Sequence, residues 1–136
     1  MDAKLTKLFD AYEKAYSALD FETSAGFFAD TFISAGPKGT IAQNKSEFKS
    51  WAKKAADFYR GVGLEYGKIL ATTETSIADH HSIVEVHWGV KFRKTGAKLI
   101  EFDITYIIDK TGPQPKIIMF ISHEDEEEAM KKLGLL

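Results

Sequence analysis

The chain has 136 residues, of which 44% are hydrophobic and 28% are charged, and its formal net charge is −2 at pH 7. This composition is typical of one globular domain with one hydrophobic core, and it excludes a disordered chain. The weak negative charge gives no electrostatic basis for nucleic-acid binding, and no apolar run is long enough to predict a membrane span. We therefore expect a single domain over residues 1–136, with no nucleic-acid or membrane partner.

The apolar residues of the first third of the chain repeat with a helical period. Positions 3–19 carry them at steps of three and four, which predicts an amphipathic helix. A short second helix is predicted next, ending near Asp30 and burying Phe21, Phe27 and Phe28. These two helices form the predicted N-terminal layer.

The next segment combines a strand, a turn and a helix. A short strand over 31–34 is predicted, closed by a turn over 36–39 that contains two glycines and a proline. Asn44, with Glu47 three residues later, predicts the start of a third helix. An apolar face that includes Trp51 extends along this helix, and two later glycines predict its end.

From residue 64 onward the apolar period changes from near 3.6 to 2, which is typical of strands. Long strands are predicted over 64–79, 82–94 and 98–109, followed by a shorter strand over 116–122 and a last helix over 124–133. Helices followed by strands that tight turns connect are typical of an α+β fold. We expect a curved antiparallel sheet wrapped around the N-terminal helices.

The absence of cysteine and the placement of the histidines limit the possible chemistry. Without cysteine there is no disulfide, thiolate metal site or cysteine nucleophile, and the expected compartment is the reducing cytoplasm. The first residues contain no secretory apolar stretch, which agrees with that expectation. His80 and His81 would point to opposite faces of a strand, and His87 lies about 20 Å further along. We therefore expect neither a metal site nor a cofactor.

Several short strings, in the order of the predicted elements, resemble one known superfamily. They are Leu19-Asp20, Phe27-Phe28-Ala29-Asp30, Gly36-Pro37-x-Gly39, Trp88 with Lys94-Thr95-Gly96, and Lys116-Ile117 with Asp125. The chain resembles the nuclear transport factor 2-like superfamily, particularly its SnoaL-like and ketosteroid-isomerase-like branches. Since this fold carries many activities, the resemblance is far more specific for fold than for function.

The resemblance implies a cone-shaped sheet, the cystatin-like or ketosteroid-isomerase-like α+β barrel, with a pocket between its concave face and the helices. It implies that the strand row containing Trp88 faces the pocket, while His87 lies on the outer face or in an interface. It also implies a homodimer formed through that outer face. Ile117, Met119 and Ile121 are predicted to share this face, and a second copy would cover them.

The resemblance also allows a test of steroid isomerase chemistry. Such isomerases use a tyrosine of the first helix, a protonated acid of a central strand and an aspartate base before the proline of the first turn. These positions hold Tyr12, Ile104 and Gly36, so we do not expect that reaction. Glu124 and Asp125 are the alternative acids, although charge runs of this kind are typical of the solvated first turn of a helix.

The aromatic residues give the clearest functional signal, because ten of them are phenylalanines in a chain of this size. Aromatic side chains on inward faces predict a pocket for a small apolar or aromatic molecule, with core packing as the alternative for each of them. The predicted ligand-binding residues are Tyr12, Phe28, Phe32, Trp51, Trp88, Phe102, Tyr106, Phe120 and Ser122.

Three functions remain open on this basis. The first is a SnoaL-like protein that binds a small molecule without the isomerase carboxylates. The second is an acid–base enzyme of the isomerase, dehydratase or cyclase class, with Tyr12, Glu124, Asp125 or a histidine in the chemistry. The third is a dimeric interaction module with a vestigial pocket. His123, ahead of the last helix, is compatible with either a pocket or a surface position.

Overall fold

Four helices lie against one curved sheet of six strands in the computed structural model, which describes residues 1–136. The helices are α1 (Ala3–Ser17), α2 (Phe21–Ala25), α3 (Lys45–Gly61) and α4 (Glu126–Lys132). The strands are β1 (Phe28–Gly36), β2 (Gly39–Asn44), β3 (Leu64–Ala78), β4 (His81–Phe92), β5 (Leu99–Asp109) and β6 (Lys116–Ser122). No helix has both the length and the apolar character that crossing a bilayer requires.

The strands follow the spatial order β2-β1-β6-β5-β4-β3, so β2 and β3 are the two edges of an open sheet. Every neighbouring pair is antiparallel except β1 and β6, which run parallel, with Ser34 opposite Phe120. The predicted α+β class and curved sheet are confirmed. The one parallel pair departs from the antiparallel prediction, because the chain crosses the whole sheet before β6 returns to lie beside β1.

The helix boundaries follow local capping. The side chain of Asn44 accepts a hydrogen bond from the backbone N–H of Glu47 at 2.8 Å, which is the cap predicted for the start of α3. In α2 the prediction was wrong at the C-terminal end, because the helix stops at Ala25. Phe28 is instead the first residue of β1, where it pairs with Ile117 of β6. Because Phe28 pairs with β6, a strand forms here in place of the longer helix that the apolar periodicity predicted.

A bulge in β6 changes which side chains face inward. Ile107 of β5 pairs with Met119 and Ile108 pairs with Ile117, so Ile118 has no partner in that register. An extra residue reverses the side-chain alternation on one side of the bulge. Ile117 therefore points into the core and is 0% exposed, so its predicted place on the outer face was wrong. Met119 stays in register with Ile107, on the outer face.

The hydrophobic core lies between the concave face of the sheet and α1. Alternate residues of β4 and β5 supply much of it, as the period of two predicts, while their neighbours face outward. The inward residues of these two strands are Val84, Val86, Trp88, Val90, Phe92, Ile100, Phe102, Ile104, Tyr106 and Ile108. The helix α1 contributes Leu5, Leu8 and Phe9 from its apolar face.

Candidate functional site

A cleft of about 850 Å³ lies at the end of the sheet where β1 turns into β2 and β6 leads into α4. Its walls are α3, the β1–β2 hairpin, and the segment that leads from the end of β6 into α4. Apolar and aromatic side chains form much of this lining, namely Ile41, Trp51, Phe58, Tyr59, Phe120 and Met130. The size and the mixed lining are those of a small-molecule site.

Glu126, the first residue of α4, is the most unusual group in this cleft. Its side chain is partly buried between the cleft and a second cavity of about 70 Å³, and it lines both. No Lys, Arg or His side chain forms an ion pair with it. Tyr59 of α3 is its hydrogen-bond partner, at 3.5 Å from the phenol oxygen to Oε2.

The environment of Glu126 changes its ionisation. Burial raises the pKa of this carboxyl from an ordinary value of 4.5 to about 7, and the negative charges of Glu124 and Asp125 act in the same direction. The hydrogen bond from Tyr59 opposes the rise, because it stabilises the ionised form. Glu126 is therefore a carboxyl group that can both donate and accept a proton near neutral pH.

The residues on either side of Glu126 have structural partners. Asp125 is the N-cap of α4 and accepts hydrogen bonds from the backbone N–H groups of Glu127 at 3.1 Å and Glu128 at 3.3 Å. Its carboxylate also lies 3.3 Å from the ammonium of Lys38, which stands in the β1–β2 turn. Lys38 reaches Glu127 as well, at 3.2 Å, so this lysine connects the two sides of the cleft at its rim.

Glu124 has a backbone partner at the edge of the cleft, and His87 and His123 lie away from it. The carboxylate of Glu124 lines the cleft but accepts a hydrogen bond from the backbone N–H of Asp103 at 2.9 Å. His87 faces outward between Glu101 and Asp103, at 2.8 and 2.7 Å, and hydrogen bonds to these two carboxylates raise its pKa. His123 is exposed, with Nε2 2.7 Å from the hydroxyl of Thr105. The predicted outer-face position of His87 is confirmed.

A cluster of phenols and an indole fills the interior below the cleft. The indole N–H of Trp88 donates to the hydroxyl of Tyr106 at 3.2 Å, and both side chains are almost completely buried. The rings of Tyr12 and Tyr16 pack against Trp88, with centroids 5.9 and 5.5 Å away. Burial raises the pKa of Tyr12 to about 12 and those of Tyr16, Tyr59 and Tyr106 well above their ordinary value. All of these phenols therefore stay protonated at neutral pH.

The predicted ligand-binding residues divide between the cleft and this packed interior. Trp51, Phe120 and Ser122 line the cleft, and Phe102 lines the smaller cavity. The other five, Tyr12, Phe28, Phe32, Trp88 and Tyr106, belong to the core or pack against it and line neither cavity. As ligand contacts, all nine remain predictions.

In the sequence, Glu126 is one of a run of acidic residues, and such a run is typical of the solvated first turn of a helix. The signal that identifies it is its spacing from Ala129 and Met130, three and four residues later, which places it on the apolar face of α4. The two isomerase positions that lack acids are also clear in the structure. Gly36 lines the cleft and Ile104 lies in the core.

Solved structures with low sequence identity share this architecture. An NTF-2 like protein of unknown function from Shewanella oneidensis MR-1 is 15% identical, with a TM-score of 0.71 over 89% of this chain and 97% of that chain. Aln2 from a Streptomyces species is 11% identical, with a TM-score of 0.72 over 94% of this chain and 93% of that one. A putative polyketide cyclase from Xanthomonas campestris pv. campestris is 14% identical, with a TM-score of 0.59 over 96% of each chain. At such identities the similarity shows the fold alone.

Sequence comparison supplies the family. No curated protein matches the chain. A family model described as "NTF2-like protein (DUF6841)" matches residues 3–125, which is most of the sequence. The chain therefore belongs to this NTF2-like protein family.

Proposed function

We propose that this protein binds a small, partly apolar molecule in the cleft and transfers a proton on it through Glu126. The observation that carries the proposal is the position of this carboxyl group, which is partly buried between the cleft and the smaller cavity and has no ion-pair partner. A carboxyl group in such surroundings is destabilised when ionised, which is how enzymes bring a glutamate into the working range of a general acid or base.

The neighbouring groups suit proton transfer next to a carbonyl. Tyr59 stays protonated and donates to the carboxylate of Glu126, so once Glu126 has taken up a proton this hydroxyl is free to donate to an oxygen that gains negative charge. Ser122 adds a second hydroxyl to the same cleft. The isomerase and cyclase classes require this combination of a base and hydrogen-bond donors. The putative polyketide cyclase among the structures of the same fold is compatible with such chemistry, as an analogy of fold.

Exchange of carbon-bound hydrogen tests the proposal without knowledge of the natural substrate. Phenylacetone in D₂O exchanges the hydrogens next to its carbonyl when a base removes them, and proton NMR follows the loss of signal. We expect the wild-type protein to accelerate this exchange and the Glu126→Gln variant to lose at least about 90% of the acceleration, since the amide cannot accept the proton. The Glu128→Gln variant is the matched control, because Glu128 is exposed in the same helical turn. Equal rates in the wild type and Glu126→Gln would contradict the proposal.

The half-exposed Trp51 at the cleft supports a second candidate, which is ligand binding without chemistry. In that case titration of the cleft with phenylacetone changes the fluorescence of Trp51, while no exchange is catalysed. The Trp51→Phe variant separates this signal from that of the buried Trp88. A fluorescence change that survives in Trp51→Phe would place the ligand elsewhere.

We also propose a homodimer through the outer face of the sheet. A row of apolar residues crosses this face, where Ile33 pairs with Met119, Met119 with Ile107, and Ile107 with Ile83. All four are partly exposed in the single chain, and contact with a second copy would remove them from water. We expect sedimentation equilibrium to show a dimer at micromolar concentration and Met119→Lys to dissociate it. A monomeric wild type would exclude this interface.

A further inference from the structure

More acidic than basic side chains line the cleft. Four carboxyl groups line it against two ammonium groups, those of Lys38 and Lys54. The ammonium of Lys38 is compensated by the two carboxylates it contacts, at 3.2 and 3.3 Å. Lys54 lies on α3, lines the cleft and forms no ion pair of its own. Carboxyl groups therefore outnumber ammonium groups in the cleft, and Glu126 is one that has no ion-pair partner.

No cation faces Glu126 from any element around it. Phenols approach it from α1 and α3, and further carboxyl groups come from β5 and from its own segment. These neighbouring titratable groups are Tyr12, Tyr16, Tyr59, Glu101, Glu124 and Asp125. The positive end of α4 is already offset by its Asp125 cap and the glutamates of its first turn. Apart from the hydrogen bond of Tyr59, the site therefore has no paired cation that would stabilise an ionised Glu126.

The opposite wall of the cleft is rich in aromatic faces. Trp51 and Phe58 of α3 are 50% and 44% exposed, and Tyr59 follows them on the same helix. An aromatic face attracts a cation, while a carboxylate gains nothing from it. The same faces provide apolar contact for a ring or chain. The aromatic wall and the partly buried acid together therefore favour a ligand that combines a positive charge with an apolar body.

Building on the proposed function, we propose that the ligand of this cleft is an organic amine in its cationic form, with an apolar or aromatic body. The ammonium group lies beside the carboxylate of Glu126, and the body packs against Trp51 and Phe58. Of the two lysines that line the cleft, Lys38 is paired with Asp125 and Glu127 and Lys54 lies on α3, so the preference for a cation comes from Glu126. This arrangement makes the site selective for charge as well as for shape.

Binding of a cation and ionisation of Glu126 are linked. A positive charge beside the carboxyl group lowers its pKa from about 7, so the protein releases a proton when the amine binds near neutral pH. Affinity then rises with pH as Glu126 ionises, by up to about tenfold per pH unit below the pKa of the free protein. The bound ligand leaves Glu126 in its basic form, ready to remove a proton.

Three matched probes test the proposal by isothermal titration calorimetry. They are 2-phenylethylammonium, 3-phenylpropanoate and 2-phenylethanol, which have similar bodies and differ in charge. We expect the amine to bind at least about tenfold more tightly than the carboxylate, with the alcohol between them. Measurements in two buffers of different ionisation enthalpy should show proton release for the amine alone. In Glu126→Gln the preference and the proton release should disappear, while Glu128→Gln keeps both.

Each result decides a different question. A carboxylate that binds as tightly as the amine, or an amine affinity that is unchanged in Glu126→Gln, overturns the assignment of a cationic ligand. If the alcohol still binds in that case, the cleft of the proposed function is retained. Selective, Glu126-dependent binding of the amine without any catalysed exchange of phenylacetone supports the ligand class and contradicts the proposed proton transfer. Failure of all three probes to bind at millimolar concentration overturns both.

Discussion

Replacing Glu126 by glutamine should change how the stability of the protein depends on pH. The carboxyl group has a pKa near its ordinary value of 4.5 in the unfolded chain and of about 7 in the folded protein. Between these values the unfolded chain has released the proton and the folded protein still holds it. The unfolded state therefore binds fewer protons, and the free energy of unfolding falls as pH rises through this window. Below and above the window, Glu126 contributes no slope.

The size of the effect follows from the difference of about two and a half pH units between the two pKa values. At 1.36 kcal/mol for each unit, ionising Glu126 costs the folded protein about 3 kcal/mol of stability once the pH exceeds 7. Glutamine has no proton to lose, so the wild type should lose about 3 kcal/mol relative to Glu126→Gln between about pH 4 and pH 8. Because the amide keeps nearly the same shape, packing contributes little to this difference.

Urea unfolding of the two proteins at a series of pH values measures this directly. The quantity of interest is the difference in the free energy of unfolding between variant and wild type at each pH, since other titrating groups cancel in it. Glu128→Gln should show a difference that varies little with pH, because this side chain is exposed to solvent in the folded protein. A Glu126→Gln difference that stays constant across the range would show that the carboxyl group is solvated in the folded protein.

Two further substitutions test the packing beneath the cleft. Gly67→Ala places a Cβ 2.4 Å from ring carbons of Tyr16, so the ring must move and the protein should lose about 1–3 kcal/mol in urea unfolding. Gly112→Ala, with no atom closer than 3.9 Å, is its control and should change stability much less. Tyr106→Phe leaves the buried indole N–H of Trp88 without its acceptor and should cost about 1–3 kcal/mol. An unfolding midpoint equal to that of the wild type would contradict the hydrogen bond.

The alternation of side chains predicted the central sheet correctly and failed where the strands are irregular or exposed. In β4 and β5 every second residue is buried, so the pattern alone assigned Trp88 and Tyr106 to the inner face. The bulge at Ile118 has no signature in a run of apolar residues, and the inner position of Ile117 could not be read from it. The edge strand β2 was not predicted, because nearly all of its side chains are exposed and no alternation results.

The candidate site was predicted less well than the fold, because its chemistry depends on the burial of one carboxyl group. A glutamate in the first turn of a helix is usually solvated, and Glu127 and Glu128 conform to that rule. The burial of the Glu126 side chain depends on Tyr59 of α3 and on the residues of β4 and β5 that line the smaller cavity. These residues are far from Glu126 in sequence. The acid whose pKa is raised by burial is Glu126, and not Glu124 or Asp125, the two alternatives that the sequence offered.

The aromatic interior explains why the cleft lies at one end of the sheet. Trp88 and Tyr106 are joined by a hydrogen bond and are packed against Tyr12 and Tyr16, so the centre of the concave face is filled. The cleft that Glu126 lines lies outside this filled centre, between the β1–β2 hairpin, α3 and the start of α4. The phenols of Tyr12, Tyr16 and Tyr59 lie near Glu126, and burial raises the pKa of its carboxyl group to about 7. The aromatic residues that suggested an internal pocket thus fill the interior instead, and the cavity that remains is the one beside Glu126.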